Sequence, residues 1–344
     1  MRMEIINPAD WPRWNDLVLA TDGCSFFHSA NWAQVLSASY DYKPAYFTLC
    51  GEAKLQALIP IMEVRSLLTG RRGVSLTFSD YCEPIVEDPA IFPVLFDQII
   101  DYGRKSGWKH IELRGGQKFL PYAPASDRYL GHTLELCADQ QELFARFNNN
   151  TRRSIKRAIK DGVETKVCAT LHSVREFYEL HCMTRKRHGV PPQPFHFFRN
   201  IYDFIISQNH GFVLLATHHG ENVAGAVFFH FGDRALYKYG ASNLDYKHLR
   251  ANNLVMWEAI KWYSLNHYAS LCFGRTDYDN EGLRQYKNGW GATEKTICYY
   301  KYDIEQEEFI GNDQVNKTIE KLLLKKLPNP ILKGIGHMLY KHMG

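Results

Sequence analysis

The chain has 344 residues, of which 45% are hydrophobic and 14% aromatic, which is sufficient for packed cores and excludes a disordered protein. Its 41 Lys and Arg against 37 Asp and Glu leave a formal net charge of +4, too small to indicate nucleic-acid binding by itself. The length favours two domains. The eight Cys lack zinc-ligand spacing and are expected as buried thiols. Residues 1–14 lack the apolar segment of a signal peptide, and no apolar run approaches the ~20 residues of a membrane span. A soluble, cytoplasmic protein without a metal site is therefore predicted.

The first part of the chain alternates helix and strand patterns. The predicted helices are 12–20, 31–40 and 92–105, and the predicted strands are 45–50, 54–64, 74–78, 108–113 and 132–137. Ser29 is the expected cap of the second helix, and the glycine-rich sequence TGRRG at 69–73 is expected to be a loop.

The second half repeats this order. Strands are predicted at 212–217, 223–231 and 235–239, followed by a helix that ends near 265 and a strand at 268–273. Asn252 or Asn253 is the expected cap of that helix. Two matching pairs of segments in the same order favour a tandem duplication of one α/β unit. The predicted fold is therefore α/β (α+β), with central mixed sheets flanked by helices. The predicted domains are 1–138, 139–310 and a tail, 311–344.

The region 139–209 is predicted to be a helical, basic insertion in the second domain, with helices at 139–147, 151–160, 173–187 and 195–208. Arg152, Lys156 and Lys160 share one helix face, which suits either a solvated surface or an RNA phosphate contact. The tail 311–344 holds six Lys against Asp313 and Glu320. Its apolar residues recur at helical spacing, so it is expected either to dock on the protein or to lie on a membrane surface.

Three segments of the second half are candidates for a functional site. Strand alternation predicts that Tyr237 and Tyr239 share one face. The loop 250–255 feeds a helix N-terminus after a strand, a favoured place to bind an anion through Arg250 and Asn252. On a helical reading, Arg284 and Lys287 lie on one face, where two cations would suit a phosphate or a developing oxyanion.

The same loop argues against one cofactor. Acetyltransferases that use coenzyme A carry glycines in this loop so that backbone amides can approach the pyrophosphate. This chain has Asn253 and Val255 at those positions, and a β-branched side chain obstructs that approach. Acyl-coenzyme A is therefore the less favoured donor.

Four segments together resemble the Fem family of peptidoglycan aminoacyltransferases and their FemAB-like relatives of exopolysaccharide loci. They are NNNTRRSIKRAIKDGV, TRKRHGVPPQPFHFF, LYKYGAS and FGRTDYDNEGLRQYKNGWGATE. The resemblance implies two tandem acetyltransferase-like (GNAT) units. It also implies transfer of an aminoacyl group from tRNA to an amine of a cell-wall precursor, without a metal or a tightly bound cofactor.

The resemblance also implies roles for individual residues. Lys287 matches a family lysine that contacts substrate phosphates and stabilises the reacting carbonyl, and Tyr237 and Tyr239 match paired tyrosines that face the acceptor. Arg185 or Arg187 matches a phosphate-binding arginine. The early helix 31–40 offers no counterpart of a lysine common in the family. The resemblance therefore does not carry over the first-domain phosphate contacts that would indicate a UDP- or lipid-linked acceptor.

The predicted reaction is direct attack of an acceptor amine on an activated acyl group. Asp277 is the candidate base that takes the amine proton, with Asp80 as the counterpart in the first domain and Lys287 at the carbonyl oxygen. Arg275 and Arg284 are predicted to contact substrate. One alternative is a coenzyme A- or acyl-carrier-dependent acyltransferase that acts on a surface-polysaccharide precursor, and the other is a non-catalytic adaptor of that machinery. The expected partners are the precursor, tRNA and, through 311–344, the inner face of the cytoplasmic membrane.

Overall fold

The structure is a computed structural model that describes residues 3–51, 54–311, 324 and 327–344. Its strands, in chain order, are β1 (Glu4–Ile6), β2 (Lys43–Cys50), β3 (Leu55–Ser66), β4 (Gly70–Val74), β5 (Ile85–Val86), β6 (His110–Arg114), β7 (Asp127–Glu135), β8 (Glu164–Cys168), β9 (Gly211–His218), β10 (Glu221–Phe231), β11 (Arg234–Ser242), β12 (Ser270–Asp277), β13 (Thr293–Asp303) and β14 (Glu308–Ile310). Its α-helices are α1 (Trp14–Leu19), α2 (Ala30–Tyr40), α3 (Phe92–Ser106), α4 (Gln140–Arg146), α5 (Asn149–Lys160), α6 (Leu171–Arg187), α7 (Phe195–Ile201), α8 (Ala251–Leu265), α9 (Glu281–Asn288) and α10 (Asn329–Leu339).

The chain divides into two compact units, each built from separate stretches of sequence. Among the described residues, the first unit contains 3–51, 54–129, 296–311 and 340–344, and the second contains 130–295, 324 and 327–339. The sequence analysis predicted continuous domains, 1–138 and 139–310. The difference arises because β13 begins in the second unit, whereas its residues 299–303 pair with β6 of the first.

In the first unit, β1 to β4 pair antiparallel in chain order, and β6 then joins β4 in parallel. The crossover from β4 to β6 contains α3, whose residues Leu95 and Ile99 lie one turn apart and are fully buried. They pack into a core that includes Ile59, Ile61 and Trp108. Burial of this apolar stripe against the sheet fixes α3 on one face.

The second unit repeats this arrangement. β8 to β11 pair antiparallel, β12 joins β11 in parallel, and α8 forms the crossover between β11 and β12. Ala224 and Ala226 of β10 face α8 and α5 within one core cluster. The alternate residue Gly225 faces Phe177 of α6 on the other side of the sheet. The predicted duplication and the predicted mixed sheets flanked by helices are confirmed.

Several local predictions were wrong. TGRRG is largely strand β4, not a loop, and the residues after it bend, with Leu76 and Phe78 in left-handed backbone conformations. The region 139–209 is not purely helical, because β8 pairs antiparallel with β9. Not every cysteine is buried, because Cys50 is exposed. By contrast, Ser29 accepts from the amide of Trp32 and caps α2, as predicted.

The end of the chain forms a docked helix. Leu332 and Gly336 of α10 are buried, and Lys333 pairs with Glu179 of α6 at 3.3 Å. The predicted tail residues 312–323 and 325–326 lie outside the described residues. Within the described part of the chain, no helix combines the length and hydrophobicity needed to cross a bilayer.

Candidate functional site

A cavity of about 340 Å³ lies in the second unit, between the end of β11 and the first turn of α8. Its charged lining side chains are Arg187, Lys247 and Arg250, and no carboxylate of the described part of the chain lines it. The N-terminus of a helix adds a partial positive charge. The cavity is therefore suited to an anion such as a phosphate.

Specific contacts position the arginines of this cavity. The hydroxyl of Thr184 donates to the carbonyl of Ser242 at 3.2 Å and accepts from the Ser242 amide at 3.0 Å. These two bonds tie α6 to the end of β11 and place Arg187 at the cavity. Arg185, the alternative in the sequence analysis, instead donates to the carbonyl of Pro191 at 3.3 Å. The structure thus places Arg187, and not Arg185, among the residues that line the cavity.

The start of α8 differs from the prediction. The cap position is Arg250, which has a left-handed backbone with φ of 58° and no side-chain capping bond. Asn252 and Asn253 lie in the first turn of the helix and line the cavity. The expectation that either asparagine caps the helix was therefore wrong, although Arg250 and Asn252 do lie at the predicted anion site.

A β-bulge separates the two tyrosines that were predicted to share a face. Val227 pairs with Tyr239 whereas Phe228 pairs with Tyr237, so Lys238 is the extra residue of the bulge. Tyr237 packs on Phe228, with ring centroids 5.5 Å apart, in the core formed with α5 and α8. Tyr239 packs on the rings of α6 and α7, 5.5 Å from Phe198. The prediction that both tyrosines share one face was wrong, because it assumed an unbroken strand.

Tyr237 has a second phenol beside it, that of Tyr286, which sequence reasoning missed. Burial raises the pKa of Tyr237 to about 12. Burial also raises the pKa of Tyr286 well above its ordinary value, and the nearby Tyr237 adds to the rise. The Tyr286 hydroxyl donates to the carbonyl of Asn252 at 3.5 Å and lines the 340 Å³ cavity. Both phenols stay protonated at neutral pH and can donate hydrogen bonds. In the sequence, Tyr286 could have been noticed only because it directly precedes Lys287 in the segment FGRTDYDNEGLRQYKNGWGATE.

Lys287 is buried, with 2% of its surface exposed. Its ammonium donates to the carbonyl of Gly274 at 3.0 Å and to that of Arg275 at 2.9 Å. These bonds attach α9 to β12. Asp277, the candidate base, is exposed at the end of β12, and its carbonyl accepts from the amide of Asn280 at 3.0 Å. Asp80 belongs to the first unit, where its carbonyl accepts from the hydroxyl of Tyr299 at 2.5 Å.

Arg284 does not form a cation pair with Lys287. Its guanidinium donates through two nitrogens to the two carboxylate oxygens of Glu294, each at 2.7 Å. This bond lowers the pKa of Glu294. Glu294 also lies 3.2 Å from Nε2 of His132, whose pKa is lowered by burial and by Lys287. The charge of Arg284 is therefore compensated. Sequence spacing gave no signal for this cluster, because His132 is distant in the chain.

Helix α5 carries a row of cations beside two further cavities. One, of about 780 Å³, is lined by Arg152, Arg153 and Lys156 together with Trp257. The other, of about 450 Å³, is lined by Arg153, Arg157 and Arg250. It shares Arg153 with the 780 Å³ cavity and Arg250 with the 340 Å³ cavity. The sequence grouped Arg152 with Lys156 and Lys160 on one face. Lys160 is exposed but does not line these cavities.

The position of α5 is set by the Gly-Trp-Gly sequence after α9. Trp290 is fully buried and packs edge-on against Phe147, with ring centroids 5.0 Å apart. Asn148 caps α5 and donates its own amide to the carbonyl of Gly289. The motif therefore holds the basic helix in place.

No group of three or more His, Cys, Asp or Glu suited to a metal ion occurs within 3–51, 54–311, 324 and 327–344. The expected absence of a metal and of a tightly bound cofactor stays a prediction.

The second unit matches a known domain family: the description acetyltransferase (GNAT) domain matches residues 145–288. This stretch is therefore similar to acetyltransferase (GNAT) domains. Lipid II:glycine glycyltransferase of Staphylococcus epidermidis is 27% identical over 109 residues, which cover 30% of this chain and 25% of that protein. This chain therefore spans about a quarter of the length of the relatives it matches.

Two solved structures extend the likeness in fold over most of the chain. The crystal structure of FemX has a TM-score of 0.69 at 13% identity and covers 87% of this chain and 97% of its own. A tandem GNAT protein from the clavulanic acid biosynthesis pathway has a TM-score of 0.59 at 11% identity and covers 88% and 98%. The predicted tandem GNAT fold, the acyltransferase-type domain and the resemblance to Fem proteins are confirmed.

Proposed function

We propose that the protein is an aminoacyltransferase that moves an aminoacyl group from tRNA to an amine of a cell-wall precursor. The observation that carries the proposal is that neighbouring cavities among the three share a lining arginine. Arg153 lines both the 780 Å³ and the 450 Å³ cavity, and Arg250 lines both the 450 Å³ cavity and the 340 Å³ cavity. The likeness to a lipid II:glycine glycyltransferase supports the choice of acceptor.

This chain of cavities, which we call the cationic track, fits a polyanion better than a single phosphate. Among the residues that the structure describes, no Asp or Glu lines it and seven cations do: Arg152, Arg153, Lys156, Arg157, Arg187, Lys247 and Arg250. Arg157 is paired with Asp161 at 3.2 Å, outside the track. Nucleic-acid affinity depends on such spaced cations, since each neutralised phosphate releases counterions. In the proposed complex, α5 binds the RNA backbone and the cavity at α8 receives its aminoacylated end.

The proposed reaction needs no covalent enzyme intermediate. The acceptor nitrogen attacks the ester carbonyl, a C–N bond forms, and the C–O bond to the tRNA ribose breaks. The proton lost by the amine is transferred, through Asp277 or another base, to the ribose oxygen that leaves. The neutral phenol of Tyr237 is suited to donate a hydrogen bond to the negative charge on the carbonyl oxygen, and that of Tyr286 can do so by giving up its 3.5 Å bond to the carbonyl of Asn252. Lys287 is proposed to stabilise the same negative charge. Its burial and its bonds to the carbonyls of Gly274 and Arg275 also suit a structural role, which can be tested separately.

The decisive assay is transfer of radiolabel from bulk tRNA, charged with a mixture of labelled amino acids, to lipid II. Acetyl-coenzyme A, with binding followed by calorimetry, is the competing donor. Label on lipid II from charged tRNA, without micromolar binding of acetyl-coenzyme A, supports the proposal. Micromolar binding of acetyl-coenzyme A without transfer from tRNA overturns it in favour of the coenzyme A-dependent alternative. Binding and transfer by neither donor favour the adaptor.

Charge reversal tests the cationic track directly. Arg153→Glu should weaken binding of charged tRNA at least tenfold and reduce the slope of log affinity against log salt by about one. Lys105→Glu on α3, an exposed site of the first unit, makes the same change of charge away from the track and should leave both unchanged. Equal losses in the two variants would show that only net charge matters and would contradict the track.

A further inference from the structure

A hairpin tip in the first unit presents two leucines to solvent. Leu67 and Leu68 connect β3 to β4 and are 96% and 68% exposed. Single exposed leucines are common on protein surfaces. Two adjacent leucines at the tip of a hairpin instead form a protruding apolar surface, which does not pack into the core of its own unit.

The tip is held in shape by its own hydrogen bonds. The hydroxyl of Ser66 accepts from the amides of Leu68 and Thr69 at 3.1 and 3.0 Å, which closes the turn. The guanidinium of Arg72 also donates to the hydroxyl of Thr69. Because the turn is preformed, its leucines can enter an apolar medium without refolding of the backbone.

The last residues of the chain lie beside this tip and add to it. Nδ1 of His342 is 3.0 Å from the Ser66 hydroxyl, and Arg72 donates to the carbonyls of His342 and Gly344. Tyr42 donates to the carbonyl of Lys341 at 3.1 Å. These bonds bring Met343, which is 54% exposed, to the same part of the unit as the two leucines.

Cations surround the tip. Arg71 and Lys341 are exposed, and the side chain of Lys109 lies over Gly70, so closely that a Cβ there would be 2.7 Å from its Cε. Of the three arginines in 65–72, Arg65 is paired with Glu63 at 2.7 Å and Arg72 is buried, whereas Arg71 faces solvent. An apolar apex within a collar of cations matches the interface of an anionic bilayer, where apolar groups enter the acyl boundary and cations contact the headgroups.

We propose that Leu67 and Leu68, with Met343 beside them, dock the protein onto the surface of an anionic membrane, with Arg71, Lys109 and Lys341 at the headgroups. A convex apex is suited to insertion into lipid, whereas a protein partner would have to supply a matching groove. The surface and the cationic track have no residue in common, and the proposal does not depend on the identity of the donor or acceptor.

The test is flotation of the purified protein with protein-free vesicles of phosphatidylcholine, with and without 30 mol% phosphatidylglycerol. We expect binding to the anionic vesicles only, and at least a tenfold lower partition coefficient for Leu67→Asp/Leu68→Asp. Leu19→Asp/Leu265→Asp, which changes two exposed leucines elsewhere, is the matched control and should bind as the wild type does. Arg71→Glu should weaken binding and remove part of its salt dependence.

Insertion is measured separately with a Leu67→Trp variant. Its fluorescence should shift to shorter wavelength with anionic vesicles and be quenched by brominated lipid. No binding to anionic vesicles, or equal binding by the Leu67→Asp/Leu68→Asp variant and wild type, overturns the proposal. So does binding that is lost in Arg71→Glu but not in Leu67→Asp/Leu68→Asp, because that result would indicate adsorption by charge alone. Unchanged thermal midpoints verify that the variants are folded.

Discussion

The buried position of Lys287 leads to a prediction that separates a structural role from a chemical one. Lys287→Met keeps the apolar stem and removes the ammonium that donates to Gly274 and Arg275 at 3.0 and 2.9 Å. Each carbonyl would lose a charge-assisted bond worth about 1.5–3 kcal/mol, of which relief of ammonium desolvation returns a part. We therefore expect the free energy of unfolding to fall by about 3 kcal/mol.

Urea denaturation measures this loss. With a slope of about 3 kcal/mol per molar, the midpoint should shift by roughly 1 M. Because domains are commonly stable by about 5–15 kcal/mol, the variant should remain folded at 25 °C, so its turnover in the tRNA-to-lipid II assay can be compared directly. If Lys287 also stabilises the oxyanion, turnover should fall by roughly 10²-fold or more.

Lys295→Met is the matched control, because Lys295 is exposed on β13. It should change neither the midpoint nor the turnover. An unchanged midpoint in Lys287→Met would refute the reasoning that the ammonium holds α9 against β12. A shifted midpoint with full turnover would remove Lys287 from the chemistry and leave it a structural cation.

Two further predictions concern packing and pH. A Cβ at Gly240 would overlap the hydroxyl of Tyr237, so Gly240→Ala should displace that phenol, cost about 1–3 kcal/mol and lower turnover. Gly282→Ala, where a Cβ meets nothing, is the control, and equal turnover in the two variants would contradict a role for Tyr237. Burial lowers the pKa of His28 to about 4, below its unfolded value near 6.5. The unfolded chain therefore binds more protons below pH 6.5, and stability should fall by about 3 kcal/mol as the pH falls from 6.5 to 4. Urea midpoints at several pH values should fall less steeply for His28→Gln, and parallel curves would be inconsistent with this role.

The repeated order of strands and helices was predictable because period and length alone indicate each element. The face on which Tyr239 lies was not, because one extra residue, Lys238, inverts the alternation and nothing in the local sequence marks a bulge. β4 was missed for a related reason. Glycine is typical of turns, whereas here Gly73 is required because Trp108 lies against it and leaves no room for a Cβ.

In the candidate site too, some features follow from local sequence and others depend on tertiary contacts. The place of the polar loop at Arg250 before α8 and the basic character of α5 followed from sequence, since both depend on local spacing. The compensation of Arg284 by Glu294 and the clustering of His132 with them did not, because they depend on β7, β13 and α9 meeting in the folded unit. The burial of Lys287 likewise results from tertiary contact, which a charged residue on a polar helix does not reveal.

Strand β13 begins in the second unit and ends in the first, which has a consequence for folding during synthesis on the ribosome. A ribosome releases the chain from its N-terminus, yet β6 has its antiparallel neighbour only when residues 299–303 have emerged. By then residues 130–295, most of the described second unit, have already been synthesised. The unit that begins first during translation is therefore the last to complete its sheet, and an unfinished β6 edge must stay protected from nascent neighbours until then.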